Sequence, residues 1–263
     1  MVDFENKPRY NVADLNSLIK LLRGPGGCPW DSEQTHNSIR RNLLEEAYEA
    51  AEAIDEDDAE HLIEELGDVL MQVMFHADIA ESAGRFSLDD IADATCKKLI
   101  RRHPHVFGDV KASDGSESLV FWEDIKREEK QQDTVSEAMR SVARSLPELW
   151  RAEKIQKKAA KVGFDWPDYT GALDALREEL RELEDAIESG EGIGGELGDL
   201  LFSAVNVARF FEIDPEQALG SAGDKFISRF ERVEAEARRL GRRPEDMTLD
   251  EMESLYQKAK LEE

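Results

Sequence analysis

The chain has 263 residues, 40% of them hydrophobic, with 34 Lys plus Arg against 59 Asp plus Glu and a formal charge of −25. That length allows one large domain or two small ones, each able to bury a core. So acidic a surface argues against binding nucleic acid or an anionic membrane through the overall field, so an anionic substrate needs metal ions or a local basic cluster.

The two cysteines, Cys28 and Cys96, form no C-x-x-C pair, which points to a reducing compartment. No apolar run approaches the roughly 20 residues that cross a bilayer, and residues 1–10 lack a signal-peptide apolar core. The expectation is a soluble cytoplasmic protein with no membrane partner.

Residues 11–22 place Val12, Leu15, Leu18, Ile19 and Leu22 at helical spacing. The Gly- and Pro-rich stretch from Arg23 to Asp31 stops that helix and forms a structured loop, in which Cys28 is packed or loosely exposed rather than reactive. A second helix is expected over 38–54, an acidic turn over 55–58, and a long helix over 59–80 that buries Leu66, Val69, Leu70, Val73, Met74 and Ala77. A further helix over 88–102 ends at His103-Pro104-His105, because proline disfavours helix at the residue before it. These two histidines suit a helix terminus better than a metal site. Residues 107–118 have loop composition, 119–130 form a short charged helix, and 131–136 link two halves.

The second half repeats the first. A helix is expected over 149–162, then a loop at Gly163-Phe164-Asp165-Trp166 that matches Gly26 to Trp30. Thr170 is the expected cap of a helix running to Glu188. A helix over 195–211 buries Leu197, Leu200, Leu201, Val205 and Ala208. Asp214-Pro215 opens the next segment, with helices over 224–240 and 250–261. No strand-like alternation of any length occurs, so the class is all-α, as two tandem helical bundle domains over 1–130 and 131–263. Trp30 and Trp166 are expected as core anchors, Trp122 and Tyr256 as stacking residues, and Lys154, Lys157 and Lys158 as a solvated face.

The chemistry lies in a duplicated acid pattern. Glu178-Glu179-Leu180-Arg181-Glu182 is followed by Glu196-Leu197-Gly198-Asp199, and Glu45-Glu46-Ala47-Tyr48-Glu49 by Glu65-Leu66-Gly67-Asp68. Residues three or four apart share a helix face. If the two helices of each pair fold back on each other, four carboxylates meet. Four carboxylates without a counter-ion repel one another and lose hydration, so the arrangement calls for cations. Oxygen-only donors favour Mg²⁺, Mn²⁺ or Ca²⁺. One helix later in each half stand two cations four residues apart, Lys98 and Arg102, then Lys225 and Arg229. Carboxylates hold metals, metals hold phosphate oxygens, and Lys and Arg neutralise the remainder. That set supports hydrolysis of a triphosphate by a metal-activated water. Glu178 either orients or deprotonates that water, or stands behind the ligands at the surface.

The E-E-x-x-E, gap, E-x-x-D pattern resembles the signature of the MazG nucleoside triphosphate pyrophosphohydrolases. So do G-G-C-P-W-D at Gly26 to Asp31, R-R-H-P-H-V-F at Arg101 to Phe107 and K-I-Q-K-K at Lys154 to Lys158. The two-domain layout extends the resemblance over nearly the whole chain. It implies a Mg²⁺-dependent all-α pyrophosphatase fold that dimerises and cleaves NTP or dNTP between the α and β phosphates. By position, it implies Glu179, Glu182, Glu196 and Asp199 as metal ligands, Lys225 and Arg229 on the phosphates, and Tyr256 beside the nucleotide, where the family often has Trp. Glu46, Glu49, Glu65, Asp68, Lys98 and Arg102 are the first-half counterparts, a possible second site. The competing class is a non-catalytic helical interaction protein with solvated acidic faces. A di-iron bundle needs Glu-x-x-His pairs, and the second half contains no histidine.

Overall fold

A computed structural model describes residues 4–108, 114–115, 118, 121–122, 125–126, 129 and 133–261. Among them the secondary structure is helical, without strands. Much of the loop expected over 107–118, the helix expected over 119–130 and part of the linker expected over 131–136 lie outside the described residues. The chain divides into two compact units, Met1–Lys126 and Arg127–Glu263.

In the first unit, α1 (Val12–Arg23) starts at Asn11, whose side chain accepts from the amides of Ala13 and Asp14 while Asp14 reaches back to the Asn11 amide. Such a capping box satisfies two amides that a helix start leaves open. A short α2 (Pro29–Glu33) follows within the stretch expected to be loop. The proline at its first position fits, since it has no amide to satisfy. The core of the unit rests on α3 (Arg40–Asp55) and α4 (Ala59–Ser82), joined by a turn in which Asp57 takes φ +55° and Asp58 caps α4 by accepting from Glu60 and His61. Then α5 (Leu88–Arg102) is capped by Ser87 and Asp90, and α6 (Pro104–Phe107) starts at the expected break. Ile19, Ile39, Met74 and Phe75 are the buried centre, flanked by Leu15, Leu70, Met71, Ile79 and Leu88.

In the second unit, α7 (Val135–Arg140) and α8 (Glu148–Ala160) precede a long hairpin of α9 (Tyr169–Ser189) and α10 (Ile193–Phe210). The cap of α9 is Asp168, which accepts from the Thr170 amide, and not Thr170 itself. The proline at 167 precedes that carboxylate, so α9 starts two residues earlier than a threonine cap would allow. Then come α11 (Pro215–Arg239), a 3-10 turn at Pro244–Asp246 and α12 (Leu249–Leu261). Buried Gln156 of α8 donates to the carbonyl of Phe202 on α10 at 2.8 Å, and Trp150 donates to Asp214, the cap of α11. Arg232 donates to the Ala259 carbonyl at 3.2 Å and so joins α11 to α12.

Burial departs from the expected stripes. Leu66, Leu197 and Leu201 are exposed, whereas Phe75 of α4, outside the stripe, is buried. Trp30 and Trp166 are 62% and 48% exposed, so neither anchors a core. One face of Trp166 lies over Gly171, where an added Cβ would come within 2.6 Å of its ring. An apolar period marks a face that avoids water, but a two-helix hairpin covers only part of that arc.

Candidate metal and phosphate site

The second-unit hairpin positions the acids. Gly190 and Gly192 at the turn take φ of +78° and +76°, a left-handed backbone that side chains disfavour. This reversal lays α10 along α9. Glu179 on α9 and Glu196 and Asp199 on α10 bring ligand oxygens within 4.8 Å of one another. Glu182 is exposed and outside that trio, yet it acts on it. The Glu179 carboxyl is held above its ordinary value first by burial, then by the charges of Glu182, Asp199, Glu196 and Glu178. Every charge named there is another acid. Such a group is short of positive charge.

Lys225 and Arg229 lie on α11, the lysine exposed and the arginine half-buried. The Arg229 guanidinium carbon is 5.8 Å from the Tyr256 ring centroid, and that ring packs on Phe226 at 5.6 Å. Arg229 and Tyr256 thus stand together. The acids occupy the α9–α10 pair and this basic and aromatic group the α11–α12 pair.

The first unit builds a related trio on α3 and α4, with Glu49, the counterpart of Glu182, inside it and Asp68, the counterpart of Asp199, outside. Glu46, Glu49 and Glu65 converge within the same 4.8 Å. Burial, then Asp68, Glu49 and Glu65, raise the Glu46 carboxyl. Lys98 is exposed on α5, and Arg102 lies 5.0 Å from the Trp122 ring centroid with Lys126 at 4.6 Å from the same ring. One residue missed in the sequence stands here: the His61 imidazole Nε2 is 3.2 Å from Glu65 Oε1. Its place four residues before Glu65 was the signal.

The donor chemistry fits a divalent cation in both hairpins. In the second unit, carboxylates alone face one another; in the first, Glu65 is 8% exposed and its Oε2 is buried without a hydrogen-bond partner.

A family model described as the MazG nucleotide pyrophosphohydrolase domain matches residues 34–107 and 169–234. Over 247 residues the chain is 44% identical to the nucleoside triphosphate pyrophosphohydrolase/pyrophosphatase MazG of Thermotoga maritima, covering 94% of each chain. It is 43% identical over 254 residues to the nucleoside triphosphate pyrophosphohydrolase of Escherichia coli, covering 95% of this chain and 97% of that one. It is also 46% identical to the uncharacterized protein YabN of Bacillus subtilis, and spans about half of that protein's length, 52%. The chain belongs to the MazG nucleotide pyrophosphohydrolase family.

Proposed function

We propose that this member of the family hydrolyses nucleoside triphosphates, ribo and deoxyribo alike, to the monophosphate and pyrophosphate at the second-unit hairpin, with Mg²⁺ as cofactor and Mn²⁺ as a substitute. The observation that carries it is the convergence of Glu179, Glu196 and Asp199 in a field made wholly of acids. The activity in the names of its relatives supports the same reading.

Glu179, Glu182, Glu196 and Asp199 would hold the metal. When bound, Mg²⁺ supplies charge neutralisation and Lewis-acid polarisation of phosphate oxygens. The protein does the rest. Arg229 offers a planar fork to a phosphate and Lys225 a mobile point charge. Tyr256 offers a ring face to the base, which suits a broad substrate range because every base has a stacking face. Glu178, exposed and next to Glu179 in sequence, would orient the attacking water and take its proton, or stand behind the ligands at the surface.

Exposed Leu197, Leu201 and Phe202 on α10 support a homodimer that covers this face. The formal charge of −25 argues against a nucleic-acid partner. No helix among the described residues is long and apolar enough to cross a membrane, and we place the enzyme in the cytoplasm with the nucleotide pool.

The test is product analysis with each NTP and Mg²⁺. Pyrophosphate and the monophosphate in equal amounts are expected; orthophosphate with the nucleoside diphosphate would overturn the reading.

A further inference from the structure

The acids of the second unit sit on α9 and α10, and its basic and aromatic group on α11 and α12. One helix, α8, packs against both α10 and α11, and among the described residues no other helix packs as extensively on both pairs. Its start interlocks with the start of α11. Pro147 gives α8 no side-chain cap, and Glu216 of α11 supplies an acceptor, its Oε1 taking the Leu149 amide at 3.2 Å. In return, Trp150 Nε1 donates to both oxygens of Asp214, the cap of α11, at 2.8 and 2.9 Å. Six residues on, about 9 Å along the helix axis, Gln156 donates to the Phe202 carbonyl of α10 at 2.8 Å. Phe202 lies three residues beyond Asp199. Gln156 is 8% exposed, and its Oε1 is buried without a partner. An apolar side chain of that size would avoid the cost of the unpaired oxygen, so the one bond the amide makes is what the position gains.

We propose that Trp150 and Gln156 are positioning residues, through which α8 holds the helix of Lys225 and Arg229 at a fixed offset from the acid hairpin. The proposal rests on the reading of that hairpin as the hydrolytic site. Seating a cation needs only α9 and α10, which pair without α8. Turnover also needs Lys225 and Arg229 at the right distance from the phosphates, and a misplacement of about 1 Å costs on the order of 100-fold. Loosening α8 therefore spares cation binding and lowers turnover. Within K-I-Q-K-K the glutamine turns inward to tie α10, while Lys154 and Lys157 stay exposed.

The experiment uses the full chain with Trp150→Phe, which keeps a ring and removes the N–H, or Gln156→Met, which keeps the length and removes the donor. Each lowers kcat for pyrophosphate release from ATP about tenfold or more, and leaves Mg²⁺ affinity without nucleotide within about twofold of wild type. Adding Arg229→Lys to Trp150→Phe then costs less than about threefold, because an arginine already misplaced has less to lose. Fully additive losses, or Mg²⁺ affinity falling in step with turnover, overturn the proposal. A second arm needs no turnover. Spin labels at Ala204→Cys on α10 and Ser228→Cys on α11, with Cys28→Ser and Cys96→Ser and dilution into unlabelled protein, report one narrow distance that broadens in both variants. An unchanged distance distribution overturns the proposal even where turnover drops. Broadening in a protein whose wild type releases no pyrophosphate keeps the role of α8 and removes the hydrolytic reading instead. If Gln156→Met fails to fold, Trp150→Phe decides alone.

Discussion

Arg209 closes both arms of its guanidinium on the carboxylate of Asp165, with its NH1 nitrogen 2.8 Å from Oδ2. The pair fastens the loop before α9 to α10, the helix that carries Glu196 and Asp199. Both side chains are largely buried, at 11% and 24% exposure. The Arg209 hydrogen bond is the main reason the Asp165 carboxyl lies below its ordinary value of 3.8. A depressed carboxylate contributes stability above its unfolded value and loses it as pH falls through the folded one. Asp165→Asn is therefore expected to cost about 1–3 kcal/mol at neutral pH. The difference from wild type should narrow below pH 3.8, a window readable by urea unfolding across pH.

Glu179 behaves in the opposite sense. Its folded value lies above the ordinary 4.5, so the folded state binds more protons there. In the metal-free protein its contribution falls as pH rises from 4.5 through the folded value. Glu46 in the first hairpin acts in the same direction. Glu179→Gln should raise the metal-free Tm at pH 7 and abolish the Mg²⁺-induced rise expected of wild type. It should also lower pyrophosphate release by about 100-fold or more. Retained turnover would move the reaction away from this hairpin. Glu182→Gln should likewise lose activity with the fold intact, checked by circular dichroism.

The proposed function gives Arg229 the phosphates and Tyr256 the base, and substitutions test that division. Arg229→Lys keeps the charge and loses the fork, so kcat/KM should fall about tenfold for every nucleotide. Tyr256→Ala should raise KM, and Tyr256→Trp should lower it, since a larger ring stacks more strongly. A base-selective effect of Arg229→Lys would contradict this division of roles.

The turn at Gly190 and Gly192 is the backbone device that brings α10 along α9. Gly190→Ala and Gly192→Ala should each cost about 1–2 kcal/mol by forcing a side chain into left-handed backbone. Metal affinity should drop with stability in Gly192→Ala, because this residue begins the helix that presents Glu196. Thermal unfolding with and without Mg²⁺ separates the two effects.

Much of the helical layout was legible in the sequence. The 88–102 helix falls between the same residues in the structure because Ser87 caps it and Pro104 ends it, both local effects. What sequence could not resolve was cover. Leu66, Leu197 and Leu201 belong to periodic apolar stripes yet face outward, and Trp30, on the short α2, and Trp166, in the loop before α9, are 62% and 48% exposed. Periodicity states which side of a helix is apolar and says nothing of what lies against it.

The acid pattern, its duplication and the all-helical class follow from residue spacing alone, because three- and four-residue separations are properties of a single helix. Which carboxylates actually meet was decided by tertiary structure. Convergence depends on the register that the turns at 56–58 and 190–192 impose between two helices, and that register selects Glu46, Glu49 and Glu65 in one unit and Glu179, Glu196 and Asp199 in the other. The same packing buries Glu65 and leaves its Oε2 without a hydrogen-bond partner, which spacing along one helix cannot show, because burial is a property of the assembled hairpin.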